Sequence, residues 1–139
     1  MNKNCLFCKI IAGEIPCSRV YEEENVLVFM DIGPIVKGHA LVIPKEHYET
    51  MTDTPDEVLA DLIRVAKRIA KAQQDGLQTD GCNIIQNNGT AAGQAVPHIH
   101  IHVIPRFADD KHHWNWDAKE YEDEDELREM TKTLSSAVL

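Results

Sequence analysis

Three histidines alternate with aliphatic residues in His98-Ile99-His100-Ile101-His102. On an extended chain, residues two apart share a face, so the imidazoles project one way and Ile99, Ile101 and Val103 the other. Three imidazoles on one face are costly as packing, because each has two nitrogens that want partners and titrates near neutral pH. Two chemistries suit such a row: a metal site, since histidines at i and i+2 on a strand form a ligand pair, or a nucleophile with flanking helpers. A solvent-facing row is the plain alternative, and the strand alone does not choose among them.

A second group with chemistry is Cys5-Leu6-Phe7-Cys8, whose two-residue spacing lets two thiolates hold one tetrahedral zinc. Alone it is half a site, and two small buried side chains would leave the same pattern. With Cys17 and Cys82 the chain has four cysteines. A chain of this length with an ordinary core needs no disulfide staples, so reduced thiols are expected.

These groups need elements to hold them. Ser18 to Glu22, Val26 to Ile32, His39 to Pro44, Gly81 to Gln86 and His98 to Pro105 are short segments rich in Val and Ile or alternating residues, separated by Gly, Pro and Asn. They read as strands. Thr54-Pro55-Asp56-Glu57 reads as a capping box with proline in the first helical position, and Leu59, Leu62, Val65, Ala66 and Ile69 then share one face of a helix that stops near Gly76. Cys5 to Ala12 reads as a short helix ended at Gly13, a run that would equally suit a metal knuckle. Acidic residues dominate Asp117 to Glu129, and Leu127, Met130 and Leu134 fit a final helix with a solvated face. Strands, a long helix and strands again lack the regular alternation of a parallel doubly wound sheet, so the expected fold is α+β with an antiparallel sheet.

The chain has 139 residues, 43% of them hydrophobic, which suits a single domain over 1–139 with one core. No stretch approaches a membrane span, and Met1 to Ile10 lacks the apolar run of a secretory signal, so the expected location is cytoplasmic. A formal net charge of −9 argues against nucleic-acid partners, which require a basic stripe. A small anionic ligand is compatible with it.

The segment Gly93-Gln94-Ala95-Val96-Pro97-His98-Ile99-His100-Ile101-His102-Val103-Ile104-Pro105-Arg106 resembles the signature of the histidine-triad family of nucleotide hydrolases and transferases. The likeness extends to Phe29-Met30-Asp31-Ile32, to Gly38-His39-Ala40-Leu41-Val42-Ile43-Pro44-Lys45-Glu46-His47 and to Asn87-Asn88-Gly89. It therefore spans about Cys5 to Arg106 and leaves 107–139 as a C-terminal extension. The resemblance implies a HIT-like fold: a five-stranded antiparallel sheet, one long central helix and short terminal helices.

It also implies roles. His100, the middle histidine, would attack the α-phosphate of a purine nucleotide and form a nucleotidyl-histidine, while His98 and His102 orient it and meet the phosphate. A neutral imidazole, with a pKa of about 6.5, has the lone pair this requires. His39 matches the family's additional supporting histidine. Asp31 matches a residue that accepts from ribose hydroxyls, although alone it would read as a turn residue. Asn87 and Gln94 match phosphate contacts, backbone N–H groups near Gly93 to Ala95 would cradle the same phosphate, and Val96 belongs to that nucleotide-binding loop. Ile10 and Ile32 would wall an apolar slot for the base, a position where isoleucines are more often core.

In zinc-bearing branches of the family, and in the related galactose-phosphate uridylyltransferases, the partners of the cysteine pair correspond to His47 and His98. A closed set of Cys5, Cys8, His47 and His98 has no open coordination position, so such a zinc would be structural. The family also implies a homodimer.

The match departs at Ala95, where many relatives carry a serine or threonine hydroxyl that passes a proton to the leaving group. Nucleoside phosphoramidates or AMP mixed anhydrides are the leading substrates, and dinucleoside polyphosphates the alternative. A nucleotide-binding module with incidental turnover and a purely metal-binding protein are rivals of other classes. Pro97 and the tail bearing His112, His113, Trp114 and Trp116 have no counterpart in the match, and the tryptophans are expected at the rim of the core.

Overall fold

The computed structural model describes residues 2–114 and 116–138, leaving Met1, Asn115 and Leu139 outside the described residues. Five strands, β1 (Arg19–Glu22), β2 (Val26–Met30), β3 (Ala40–Pro44), β4 (Gly81–Ile85) and β5 (Ile101–Arg106), form one antiparallel sheet in the order β1-β2-β3-β5-β4. Helices α1 (Leu6–Ile11), α2 (Asp56–Leu77) and α3 (Glu124–Ala137), with two short 3₁₀ turns at Met51–Asp53 and Thr90–Ala92, complete the described elements. The architecture is the α+β, HIT-like arrangement expected from the sequence. Because β5 returns between β3 and β4, the strand that carries the last histidine has a neighbour on each side.

Strand parity divides the interior into two layers. Val26, Val28, Ala40, Val42, Ile99, Ile101 and Val103 pack with Leu62, Val65, Ala66 and Ile69 of α2. The intervening residues Leu27, Phe29, Leu41 and Ile43 point to the opposite face, where they meet Cys5, Phe7 and Cys8. Covering on both faces explains why β2 and β3 read as nearly continuous apolar runs without alternation. His102 stands opposite Leu41 in the ladder and therefore belongs to the second face, under the N-terminal segment. Thus α2 holds the sheet from behind while α1 and its flanks face the histidines.

Several ends differ from expectation, each for a local reason. The strand expected from His98 begins at Ile101: residues 96–98 bend, and the Ile99 N–H bonds to the Tyr48 carbonyl outside the sheet, at 2.7 Å. The inside-outside alternation nonetheless holds through Ile99. β2 stops at Met30, because Asp31 turns the chain by accepting the Gly33 N–H on Oδ1 at 2.8 Å. The capping box does not form. The Thr54 hydroxyl donates back to the Thr50 carbonyl at 2.7 Å, and Pro55 occupies the cap without a side-chain bond. The other end of α2 agrees with expectation: the helix stops at Leu77, next to Gly76, and closes on Gln78 in the left-handed conformation, φ 56°.

The C-terminal helix is present but lies away from the core. Asp123 caps it, accepting the Glu126 N–H at 2.9 Å, and three acidic residues occupy the first turn, where the helix dipole favours them. Leu127, Met130 and Leu134 share a face as expected, yet each is exposed. The expectation for the tryptophans is corrected in part: Trp114 donates its indole N–H to Asn83 Oδ1 at 2.8 Å, whereas Trp116 is 85% exposed and fills no rim. No helix among the described residues is long and apolar enough to cross a membrane.

Candidate active site

His100 lies 5% exposed just before β5. Its Nδ1 stands 2.7 Å from the His98 carbonyl oxygen, an acceptor only, so Nδ1 carries the proton and donates. Nε2 is left with the free lone pair. Burial is the leading cause that holds this imidazole below its ordinary pKa, opposed by the His98 carbonyl and by Asp31. The ring of Phe7 meets it edge-on at 5.1 Å and also reaches His98 at 5.8 Å.

The neighbouring histidine is set up the opposite way. His39 Nδ1 accepts the Ile35 N–H at 3.2 Å, which places the His39 proton on Nε2. That nitrogen is 2.9 Å from His102 Nδ1 and donates to it. His102 must then carry its own proton on Nε2. The chain from Ile35 through His39 to His102 is therefore a relay of fixed tautomers, and it presents an N–H donor beside a bare imidazole nitrogen. The His100 and His102 rings are 4.9 Å apart. Burial and the neighbouring His100 and His39 push His102 down to about 4, and burial likewise lowers His39, so both are neutral at physiological pH. Asp31 Oδ2 lies 3.6 Å from His39 Nε2.

His98 belongs to another group. Its Nε2 donates to the Pro44 carbonyl at 2.8 Å, turning the Nδ1 lone pair toward Cys5 Sγ at 3.3 Å, Cys8 Sγ at 3.6 Å and His47 Nδ1 at 3.1 Å. Cys8 Sγ is 3.4 Å from His47 Nδ1. Donor atoms bound to one tetrahedral zinc at ordinary bond lengths stand about 3.3–3.8 Å apart, a range that holds the three distances involving sulfur, while the two imidazole nitrogens at 3.1 Å stand slightly closer. The donor chemistry fits as well: two thiols, one imidazole nitrogen held bare by its own ring's other bond, and a second imidazole converge on one point. Burial pushes the Cys5 thiol above its ordinary value and lowers His98 to about 4. A bound cation would reverse the first effect by favouring thiolate. Cys5 also caps α1 by accepting the Cys8 N–H on sulfur, at 3.4 Å, so the pair is placed by a helix start.

The remaining residues fall around these two centres. Gly93 adopts φ +92°, and a Cβ built there would stand 3.8 Å from Asn87 Nδ2, which puts the Asn87 amide against the loop before the histidines. Gln94 is turned inward: its Oε1 accepts the Gly89 N–H at 2.7 Å and its Nε2 donates to the Glu49 and Val96 carbonyls at 2.7 and 3.1 Å. The Gly93 and Gln94 N–H groups bond to the Thr90 and Gly89 carbonyls. Ala95 is exposed and Val96 half-buried. Ile10 packs partly buried against the core layer that includes Phe7 and Phe29, whereas Ile32 is 98% exposed at the turn after β2.

Three contributors escaped the sequence reading. Phe7 was visible only as a residue between two cysteines, and the Ile35 N–H and Pro44 carbonyl are backbone groups with no residue-type signal. The proline after Ile43 matched the expected motif, but its carbonyl as an acceptor for His98 depends on folding.

The HIT domain profile matches residues 12–109. The chain is 44% identical to "Protein hit" of Bacillus subtilis over 136 residues, 96% of this chain and 93% of that one. It is also 44% identical to adenosine 5'-monophosphoramidase HNT1 of Saccharomyces cerevisiae over 132 residues, 94% of this chain and 80% of that one. Among solved structures, a Zn-bound histidine triad family protein from Mycobacterium smegmatis superposes with a TM-score of 0.77 at 46% identity, covering 97% of this chain and 98% of that one. A profile that takes in the histidine row and all five strands of the sheet, with relatives alike over nearly the whole length, makes this chain a member of the HIT-domain family.

Proposed function

We propose that the chain is a hydrolase that attacks the α-phosphate of a purine nucleotide through a nucleotidyl-histidine on His100. The substrate class is a nucleoside phosphoramidate or an AMP mixed anhydride, a choice supported by the phosphoramidase among its relatives. The observation that carries the reading is the pairing of tautomers: His100 offers a bare Nε2 while His102, fixed through His39, offers an N–H beside it. In the first step the Nε2 lone pair forms the P–N bond as the bond to the leaving group breaks. His102 donates to a non-bridging phosphate oxygen or to the departing atom. Water then displaces the imidazole and gives up one proton, to His102 where that ring has protonated the leaving group and otherwise to solvent, leaving the nucleoside monophosphate and neutral His100. His98 acts through its carbonyl, which fixes the His100 proton on Nδ1.

Asp31 uses one oxygen in its turn and retains acceptor capacity for ribose hydroxyls. Asn87 and the loop from Gly93 to Val96 meet the phosphates. There the side chain of Gln94 braces the loop, so its contribution is through the backbone it supports, and the N–H groups of Ala95 and Val96 are the donors assigned to phosphate. Ile10 and Ile32 flank the base. One zinc held by Cys5, Cys8, His47 and His98 would supply a cross-link between the N-terminal segment and the histidine row, and it has no part in the bond changes. The chain works in the cytoplasm as a homodimer, without nucleic-acid or membrane partners.

The test is to mix the protein with an adenosine phosphoramidate and, separately, with a diadenosine polyphosphate, quench in alkaline denaturant and map adducts by mass. A nucleotidyl group on the peptide containing His100, with the faster turnover on the phosphoramidate, is expected. Turnover without an adduct on His100 would refute the mechanism. Turnover of neither substrate would refute the function.

A further inference from the structure

Helix α2 carries one polar residue on its buried stripe. Leu62, Ala66 and Ile69 are followed at the next turn by Gln73, 5% exposed, where the helical period calls for another apolar side chain. Every polar atom of Gln73 is used. Nε2 donates to the Gly38 carbonyl at 3.0 Å and to the Val103 carbonyl at 2.9 Å, and Oε1 accepts from the Cys82 thiol at 3.7 Å. The amide therefore binds the turn before β3 together with β5 and β4 from behind the sheet.

The two carbonyls it chooses are informative. Gly38 immediately precedes His39, and Val103 immediately follows His102, so the amide joins the backbones that carry the two halves of the tautomer relay. Those rings meet at 2.9 Å on the other face of the sheet. Gly38 is held close as well. Its φ is +105°, and a Cβ there would come within 2.8 Å of Leu77 Cδ1 at the end of the same helix and 3.1 Å of Pro105 Cγ. The helix thus fixes the start of β3 by a close approach and ties it to β5 with one amide.

We infer that Gln73 is a positioning residue, an amide clamp that sets the spacing of the His39 and His102 backbones so that His102 keeps its proton on Nε2. This rests on the proposed reaction for its catalytic consequence and on geometry alone for the tautomer. A buried glutamine is the side chain suited to the task, because only a primary amide brings two donors on one atom to two carbonyls while still accepting a third bond. Removing it leaves both carbonyls without that donor, and the ladder pairing of Ala40 with Val103 alone to hold the end of the sheet where the histidine pair meets.

The experiment compares the full-length wild type with Gln73→Met, which keeps the volume and loses the amide, and with Ile69→Val, one turn earlier on the same stripe and bonded to neither carbonyl. Gln73→Met should lower kcat about tenfold with KM nearly unchanged, as a small displacement of a reacting group does. ¹⁵N NMR of its imidazoles should show His102 losing the single Nε2–H tautomer. Ile69→Val should lose stability while keeping both kcat and tautomer. A folded Gln73→Met with wild-type kcat and an intact His102 tautomer would overturn the clamp. Gln73→Glu gives an independent reading, since its carboxyl donates to a carbonyl only when protonated: its kcat relative to wild type should rise as the pH is lowered, and a flat ratio would count against the inference. The NMR reading needs no turnover, so a failure of the proposed activity would remain distinct from a failure of the clamp.

Discussion

Stripping metal from the Cys5, Cys8, His47 and His98 group should cost stability first and rate second. The four side chains join the cap of α1, the loop after β3 and the approach to β5, with donor atoms 3.1–3.6 Å apart in the contacts above. An ion at hundredfold excess over its Kd stabilises the folded state by about 2.7 kcal/mol. In a domain of this size each kcal/mol moves Tm by roughly 4 °C, so chelation should lower Tm by about 11 °C. The rate should fall as well, because the carbonyl that fixes the His100 proton belongs to His98. The loss should appear in kcat more than in substrate preference. Metal analysis of protein purified without chelators, followed by thermal melts with and without a zinc chelator, measures both parts, and Cys8→Ser should reproduce the chelated state. Protein holding no zinc, or melting alike with and without chelator after zinc loading, would refute the reasoning.

His100→Ala should abolish turnover and the nucleotidyl adduct while nucleotide affinity, measured calorimetrically, changes far less, since only the covalent step needs that lone pair. The acid limb of kcat should lie below about pH 6.5, because burial holds His100 under its ordinary value and the protonated ring has no lone pair to attack with; a stopped assay across pH 4 to 8 reads it. Stability should fall over the same side: His98 and His102 stay neutral in the fold down to about 4, while the unfolded chain takes up their protons from about 6.5 downward. Urea melts at pH 7, 5.5 and 4.5 should show the decline. Ala95→Ser should raise kcat/KM on an adenosine phosphoramidate by about tenfold and leave an anhydride nearly unchanged, because only an amine leaving group must be protonated as it departs. Equal changes on both substrates would place the proton source elsewhere.

Much of this protein was determined by local pattern. The period of two in His98 to Val103 separates imidazoles from aliphatics whatever the exact start of the strand, so the division between reacting face and core survived when the strand proved to begin at Ile101. The apolar face of α2 is likewise a matter of helical period, and Leu62, Val65, Ala66 and Ile69 are buried as that period requires. The two-residue spacing of Cys5 and Cys8 already limited what they could bind. Local sequence did less well wherever two hydrogen-bonding choices compete at close energies. Thr54 had a helix to cap and a Thr50 carbonyl to reach, and the second won; Asp31 served both a turn and the histidine cluster. What only the tertiary structure decided is the protonation pattern. Whether an imidazole is a nucleophile, a donor or a ligand depends on which of its nitrogens meets a carbonyl, and those partners, the Pro44 and His98 oxygens and the Ile35 N–H, are backbone groups whose chemistry is the same in every residue. Their direction is set by chain path, which residue types along the sequence do not encode locally. Gln73 shows the same limit from the other side, as an isolated glutamine on an apolar stripe whose purpose appears only when the carbonyls of Gly38 and Val103 are brought to it.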